Sequence, residues 1–195
     1  MTSPGVPKPV IVVVNNLAYE GGCEITETAP LGIAAEHAAF AEPEVSLGVP
    51  PPFGGSRRLP RRVGRKRGLE MILTGDPVPA ARAAEIGLVN GVVPAGELLG
   101  AAREPAAHIT RHAPTAVAAC LRAVTRGIDL PIDEGLAVES ARFAATVPAE
   151  GVRTGPRRFL DRQVLWSDSR FSALPPTAAS PPRAGRRPGR GRVGR

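Results

Sequence analysis

Residues 8–25 read KPVIVVVNNLAYEGGCEI, and the order of their properties decides the architecture. Residues 9–14 form a β-branched run without polar alternation, the pattern of a strand covered by helices on both faces, as in parallel sheets. Such a strand needs a neighbour on each edge. A glycine turn at Gly21-Gly22 then opens a short helix that stops before Pro30, because proline cannot continue a helix interior. Strand, turn and helix in this order predict an α/β protein.

Working outward, residues 31–35 read as a second strand and residues 40–47 as a short extended piece turned at Pro43. Pro50, Pro51, Pro52, Gly54 and Gly55 keep the next stretch a loop to about Gly54. Residues 65–73 carry Leu69, Ile72 and Leu73 at helical spacing, closed by Thr74-Gly75. A further helix is expected over residues 79–86, ended by Gly87, and a strand over residues 88–93. Beyond Ala95 the pattern is helical throughout, over residues 96–111, 114–126, 131–146 and 150–163. Pro131 with Asp133 and Glu134 marks the start of one of these helices. The expected organisation is a mixed core over residues 1–94, a helical region over 95–163 and a Pro/Arg/Gly-rich segment over 164–195. That last composition cannot offset the entropy of ordering, so it is expected to be disordered.

The formal charge of +7 points on its face to nucleic acid or a membrane surface. Its distribution removes that reading. Six arginines (Arg183, Arg186, Arg187, Arg190, Arg192 and Arg195) and no acid lie beyond residue 171, leaving about +1 for the rest. Nonspecific phosphate contacts by this segment remain an alternative role, but it has no interleaved aromatics, and no specific nucleic-acid partner is expected. Two cysteines, Cys23 and Cys120, suggest buried thiols in a reducing compartment rather than a disulfide scaffold. The apolar run after Lys8 is too short for a signal peptide or a membrane span, so a soluble, cytoplasmic protein with no membrane partner is expected.

Glu24 and Glu44 are the strongest candidates for chemistry, each beside a local turn signature, Gly-Gly-Cys-Glu and Phe-Ala-Glu-Pro-Glu. Two carboxylates flanking a substrate can divide the addition of water to a double bond, one taking a proton from water and the other giving one to carbon. Spacing leaves open whether they face each other or are two surface carboxylates. Gly21-Gly22 places backbone N–H groups at a helix N-terminus, either as donors to a developing oxyanion or simply as a tight turn. Arg57, Arg58, Arg61, Arg62, Arg65, Lys66 and Arg67 could grip phosphates or form a solvated helix face. His37, His108 and His112 show neither metal-ligand nor triad spacing. No metal site, P-loop, dinucleotide fingerprint or serine elbow is read from the sequence.

The ordered series KPVIVVVNNLAYEGGCEI, IAAEHAAFAEPEVSLGVPPPFGGSRRLPRRVGRKRGLEMILTG, AAEIGLVNGVVPAGELL and EGVRTGPRRFLDR resembles the crotonase, or enoyl-CoA hydratase/isomerase, superfamily over residues 8–162. The resemblance implies a spiral of strand-strand-helix units followed by helices that build trimers, often paired as hexamers. It implies that Glu24 and Glu44 are the catalytic glutamates and that the Gly21 N–H is one of two donors to a thioester oxygen. Gly22, Gly54 and Gly55 then fall at the substrate pocket. The implied activity is hydration of a 2-enoyl-CoA thioester, with double-bond isomerisation as the alternative. Coenzyme A enters as part of the substrate, and no separate cofactor is implied.

The departures are specific. Only seven residues precede Lys8, where the family has a far longer segment carrying the other oxyanion donor. The resemblance therefore implies an N-terminally truncated member, inactive as it stands. Glu20 occupies the place of the first of three family glycines, Asn16 that of another glycine, and Pro30 that of an aspartate. Thr154 and Pro156 replace residues that continue a helix, where proline costs about 3 kcal/mol.

Overall fold

The computed structural model describes residues 8–147 together with Val152 and Thr154. The expected helix over 150–163 lies outside these residues apart from those two positions, and the expected disordered segment lies wholly outside them. The chain divides into a unit spanning Met1–Val152 and a second spanning Arg153–Arg195; both sheets and all seven α-helices of the described residues belong to the first.

Two strand pairs open the fold. β1 (Ile11–Val14) and β2 (Leu17–Tyr19) lead into α1 (Gly21–Thr28), and β3 (Leu31–Ala35) and β4 (Ala39–Ala41) lead into a 3-10 turn at Pro43–Leu47. Each pair gives its first strand to one sheet and its second to another. β1 and β3 run parallel with Val13 opposite Ile33, and β2 and β4 run parallel with Ala18 opposite Phe40. α2 (Gly55–Val63), α3 (Arg65–Thr74), β5 (Val78–Pro79) and α4 (Ala80–Glu85) come next in the chain, and then β6 (Gly91–Val93). β6 completes the first sheet in the order β1-β3-β6; β5, antiparallel to β4, completes the second as β2-β4-β5.

Alternation along β1 and β3 feeds two cores, as side chains on successive strand residues point to opposite faces. Val12, Val14 and Ala34 face a large cluster with Cys23, Phe40, Leu59, Met71 and Leu88. Val13, Ile33 and Ala35 face the opposite way, against Leu98, Ala101 and Ala102 of α5 (Leu98–Thr110). The first helix beyond residue 95 thus packs on the first sheet. α6 (Pro114–Gly127) and α7 (Ile132–Thr146) pack against each other, with the backbones of Gly127 and Gly135 close enough that a Cβ on either would contact the other.

Several expectations are corrected. Among the described residues β1 has one neighbour, β3, and three of its four residues are only partly buried, so it is not enclosed on both edges. β2 has one buried residue in three, Ala18, and is too short for its alternation to be read from sequence. Residues 40–47 are not one extended piece: the strand ends at Ala41, and Pro43 starts a 3-10 turn that its fixed φ favours. The strand expected over 88–93 shrinks to β6, since the Leu88 and Val89 N–H groups donate to Ala83 O behind α4. Asn90 instead clamps the sheet, its N–H donating to Gly32 O at 2.7 Å while its Oδ1 accepts from Gly32 N at 2.8 Å. Among the described residues, no helix is long and apolar enough to cross a membrane.

Candidate active site

The short helix α1 inverts the usual hydrophobic logic. Cys23, Glu24, Thr26 and Glu27 are buried while Ile25 is 63% exposed. α1 packs against β2 and α2, and its buried Cys23 and Glu27 lie beside Glu42 while Glu24 meets Gly55. Glu42 and Glu44, on either side of Pro43, approach from the end of β4 and the start of the 3-10 turn. Four glutamates are therefore nearly fully buried: Glu42 at 0%, Glu27 at 1%, Glu24 at 2% and Glu44 at 4% exposure.

Gly55 ties the two halves together. Its backbone N–H, the first of α2 and so without an acceptor inside that helix, donates to Glu24 Oε1 at 2.6 Å. A Cβ at Gly55 would lie 2.9 Å from Glu42 Oε2, 3.0 Å from Pro51 Cβ and 3.1 Å from Glu24 Oε1. Glycine is required there by close approach. The Gly55 N–H orients Glu24. Gly54, at φ 112, caps α2 in a left-handed conformation, and its carbonyl accepts from the Arg57 and Arg58 N–H groups.

Gly21 begins α1, where its N–H has no acceptor within the helix. A Cβ at Gly21 would meet nothing within 4 Å, and a Cβ at Gly22 would touch Ala18 Cβ at 3.8 Å. Glu20 before them holds φ 50 and ψ −125 and donates its N–H to Ala41 O at 3.0 Å.

Several carboxylate atoms are buried without a hydrogen-bond partner, namely Glu24 Oε2, Glu27 Oε2 and both oxygens of Glu42 and of Glu44. Burial is the main force on the proton affinity of Glu27, Glu42 and Cys23. It raises Glu27 to about 9, helped by the charges of Glu42 and Glu24. It raises Glu42 to about 7, against the lowering effect of hydrogen bonding with Cys23 and Glu27 and with the charges of Glu44 and Glu24 adding to the rise. The Cys23 thiol is pushed far above its usual range, by burial first and then by Glu42 and Glu27. Both sequence-predicted carboxylates thus converge on Glu42, which feels the charge of each.

Glu27 and Glu42 are the site residues that reading the sequence missed. The available signal was Cys23 and Glu27 four residues apart on one helix, a spacing that puts them on one face. The arginine cluster resolves as a solvated face. Arg57, Arg61, Arg62, Arg65, Lys66 and Arg67 are exposed. Arg58 and Arg61 donate to the carbonyls of Phe53 and Arg57, Arg62 to that of Glu27, and Arg61 also pairs with Asp129 at 2.8 Å. His37 and His112 are exposed and His108 is partly buried.

Paired parallel strands feeding a helix N-terminus, with two glutamates buried beyond it, define a mixed α/β protein of the crotonase fold. Residues 4–169 match the enoyl-CoA hydratase/isomerase family, and the chain belongs to that family. It is 40% identical over 158 residues to a short-chain-enoyl-CoA hydratase of Clostridium acetobutylicum, covering 81% of this chain and 60% of that protein. It is 37% identical to a crotonyl-CoA hydratase of Syntrophomonas wolfei, covering 80% and 60%. The crystal structure of an enoyl-CoA hydratase from Bacillus anthracis superposes with a TM-score of 0.77 at 35% identity, covering 80% of this chain and 60% of that one. An enoyl-CoA hydratase/isomerase from Cupriavidus metallidurans superposes at 0.78 with 30% identity, covering 82% and 60%. The chain thus spans about 60% of the length of the curated relatives it matches.

Proposed function

We propose that Glu24 and Glu44 are the proton-transfer pair of an enoyl-CoA hydratase, acting on a 2-enoyl-CoA thioester. The observation that carries this reading is the burial of both carboxylates around Glu42, each with at least one oxygen free of hydrogen bonds, with Glu24 on the short helix that Gly21 begins. One glutamate takes a proton from water as the water oxygen bonds to C3 of the enoyl group; the other delivers a proton to C2. The electron pair of the double bond moves toward the thioester oxygen, where the Gly21 N–H stabilises developing charge. Gly55 fixes the Glu24 carboxylate by the 2.6 Å bond, and a fixed geometry is worth more than proton affinity alone in such a step. Self-association through the exposed faces of α6 and α7 belongs to the same reading and fits the oligomers implied by the family resemblance.

Loss of the conjugated thioester absorbance of crotonyl-CoA tests the proposal. The assay is run on the chain alone and on the chain fused behind the preceding portion of the Clostridium acetobutylicum relative. Turnover is expected in the fusion and is expected to fall about a hundredfold or more in Glu24→Gln and in Glu44→Gln, the usual worth of a positioned acid or base. A fusion that turns over indifferently to both substitutions, or that binds crotonyl-CoA without hydrating it, overturns the reading.

A further inference from the structure

We propose that Cys23, Glu27 and Glu42 form a binding site for a divalent transition-metal ion of the zinc type. The inference goes beyond the hydratase reading and does not depend on it.

Sγ of Cys23 and one carboxylate oxygen each from Glu27 and Glu42 lie within 4.8 Å of one another. Cys23 Sγ and Glu27 Oε1 are 4.0 Å apart. A tetrahedral zinc ion, with Zn–S near 2.3 Å and Zn–O near 2.1 Å, holds sulfur and oxygen ligands about 3.6 Å apart. Small side-chain rotations close the difference. Two of the ligands come from successive turns of α1, four residues apart, and the third from the chain leaving β4. Rigid elements on two sides therefore present the three groups to one point.

Burial is the second, independent observation. All three side chains are at most 1% exposed, and Glu27 Oε2 and both oxygens of Glu42 have no hydrogen-bond partner. Neither salt bridge found among the described residues involves them, and the hydrogen bonds that act on Glu42 come from inside the cluster, from Cys23 and Glu27. The Arg58 charge acts on Glu27, but Glu24 acts on it in the opposite sense. Buried carboxylates persist when they are protonated, paired or metal-bound. The donor set selects among cations, since magnesium and calcium take oxygen ligands only, whereas a thiolate favours zinc and its transition-metal neighbours. Three protein ligands leave a fourth tetrahedral position open.

Binding is also a proton exchange. The ion takes a thiolate and two carboxylates, so the thiol proton and whatever protons Glu27 and Glu42 hold pass to the buffer. Affinity therefore rises with pH. Cys23, Glu24 and Glu27 on α1, Glu42 and Glu44 beside β4, and Arg58 on α2 are the charged or titratable groups that set this dependence.

The test is a titration of the full, chelator-dialysed chain with cobalt(II) and then zinc at pH 6, 7 and 8. One equivalent of cobalt is expected to produce near-ultraviolet sulfur-to-metal charge-transfer absorption that zinc abolishes, with binding tighter at pH 8 than at pH 6. Cys120→Ser removes the exposed thiol and is expected to keep the band. Cys23→Ser should lose it, and Glu27→Gln and Glu42→Gln should each weaken binding by about tenfold or more. X-ray absorption of the zinc-loaded Cys120→Ser protein then reads the ligand directly, whatever the folding of the Cys23 variant. One sulfur near 2.3 Å is expected. A chain that binds neither ion, a band that tracks Cys120, or a zinc shell without sulfur overturns the proposal.

Discussion

Glu20 holds a backbone conformation, φ 50 and ψ −125, that side chains beyond glycine rarely adopt. It does so because its N–H is bonded to Ala41 O on one side and α1 starts immediately on the other. Strain of this kind costs about 1–3 kcal/mol, whereas glycine's extra chain entropy costs about 0.5–1. Strain is the larger effect. Glu20→Gly is therefore expected to raise the urea midpoint at unchanged slope; a lower midpoint would show that the Glu20 side chain makes a contact worth more than the strain. The buried acids give a second residue-scale expectation. Glu27 keeps its proton in the folded state up to about pH 9 and Glu42 up to about 7, while both release it near 4.5 when exposed. The folded state thus binds more protons than the unfolded one above pH 4.5, and stability falls as pH rises through that window. In chelator, urea midpoints should decline from pH 5 to pH 9, with a slope of up to about 1.4 kcal/mol per pH unit for each group. Glu27→Gln should flatten the upper half of that decline, and a profile that rises with pH would show the acids are ionised in the fold.

Among the elements, α2 and α3 and then α5 set helix propensity against packing. Gly68 is buried in α3, and a Cβ there would sit 2.7 Å from Pro60 Cα on α2. Propensity favours alanine by about 1 kcal/mol, but a clash with backbone costs about 1–3. Gly68→Ala is expected to lower the melting temperature. Gly100 lies in α5 with nothing within 4 Å of a Cβ, so there the propensity acts unopposed. Gly100→Ala should raise the melting temperature, and the opposite ordering of the two variants would mean that α2 and α3 separate readily. These contests are invisible in the sequence, where both residues are simply glycines inside predicted helices. Helix ends were more legible, because they depend on the backbone alone. Thr74-Gly75 closes α3 with Gly75 at φ 69 and its N–H on Met71 O, as a glycine C-cap requires.

In the unit spanning Met1–Val152, α6 and α7 expose apolar side chains well beyond isolated instances. Val124, Ile128, Ile132, Leu136, Phe143 and Val147 are each about half exposed or more, Ile132 at 75% and Phe143 at 70%. Each alone needs no explanation, but on two paired helices they form a concentration of the sort that marks association surfaces. Light scattering is expected to give a mass above that of one chain. Ile132→Glu with Phe143→Glu should return it to a single chain with far-ultraviolet circular dichroism unchanged. A wild-type monomer with a sharp, concentration-independent melt would refute the association.

Local chemistry determined what could be read along the chain: a β-branched run marked β1, glycine and proline marked most helix ends, and the order of motifs marked the family. Glu24 and Glu44 were legible because each sits beside a turn signature, and turns are built from neighbouring residues. Glu27 and Glu42 were not. A glutamate four residues after a cysteine reads as polar surface on any short helix, and only the docking of α1 against β2 and α2 buries it. The same docking brings the Gly55 N–H onto Glu24 and leaves Ile25 outside. Tertiary structure decided these points because burial depends on which elements meet, and a carboxylate's solvation and proton affinity depend in turn on burial.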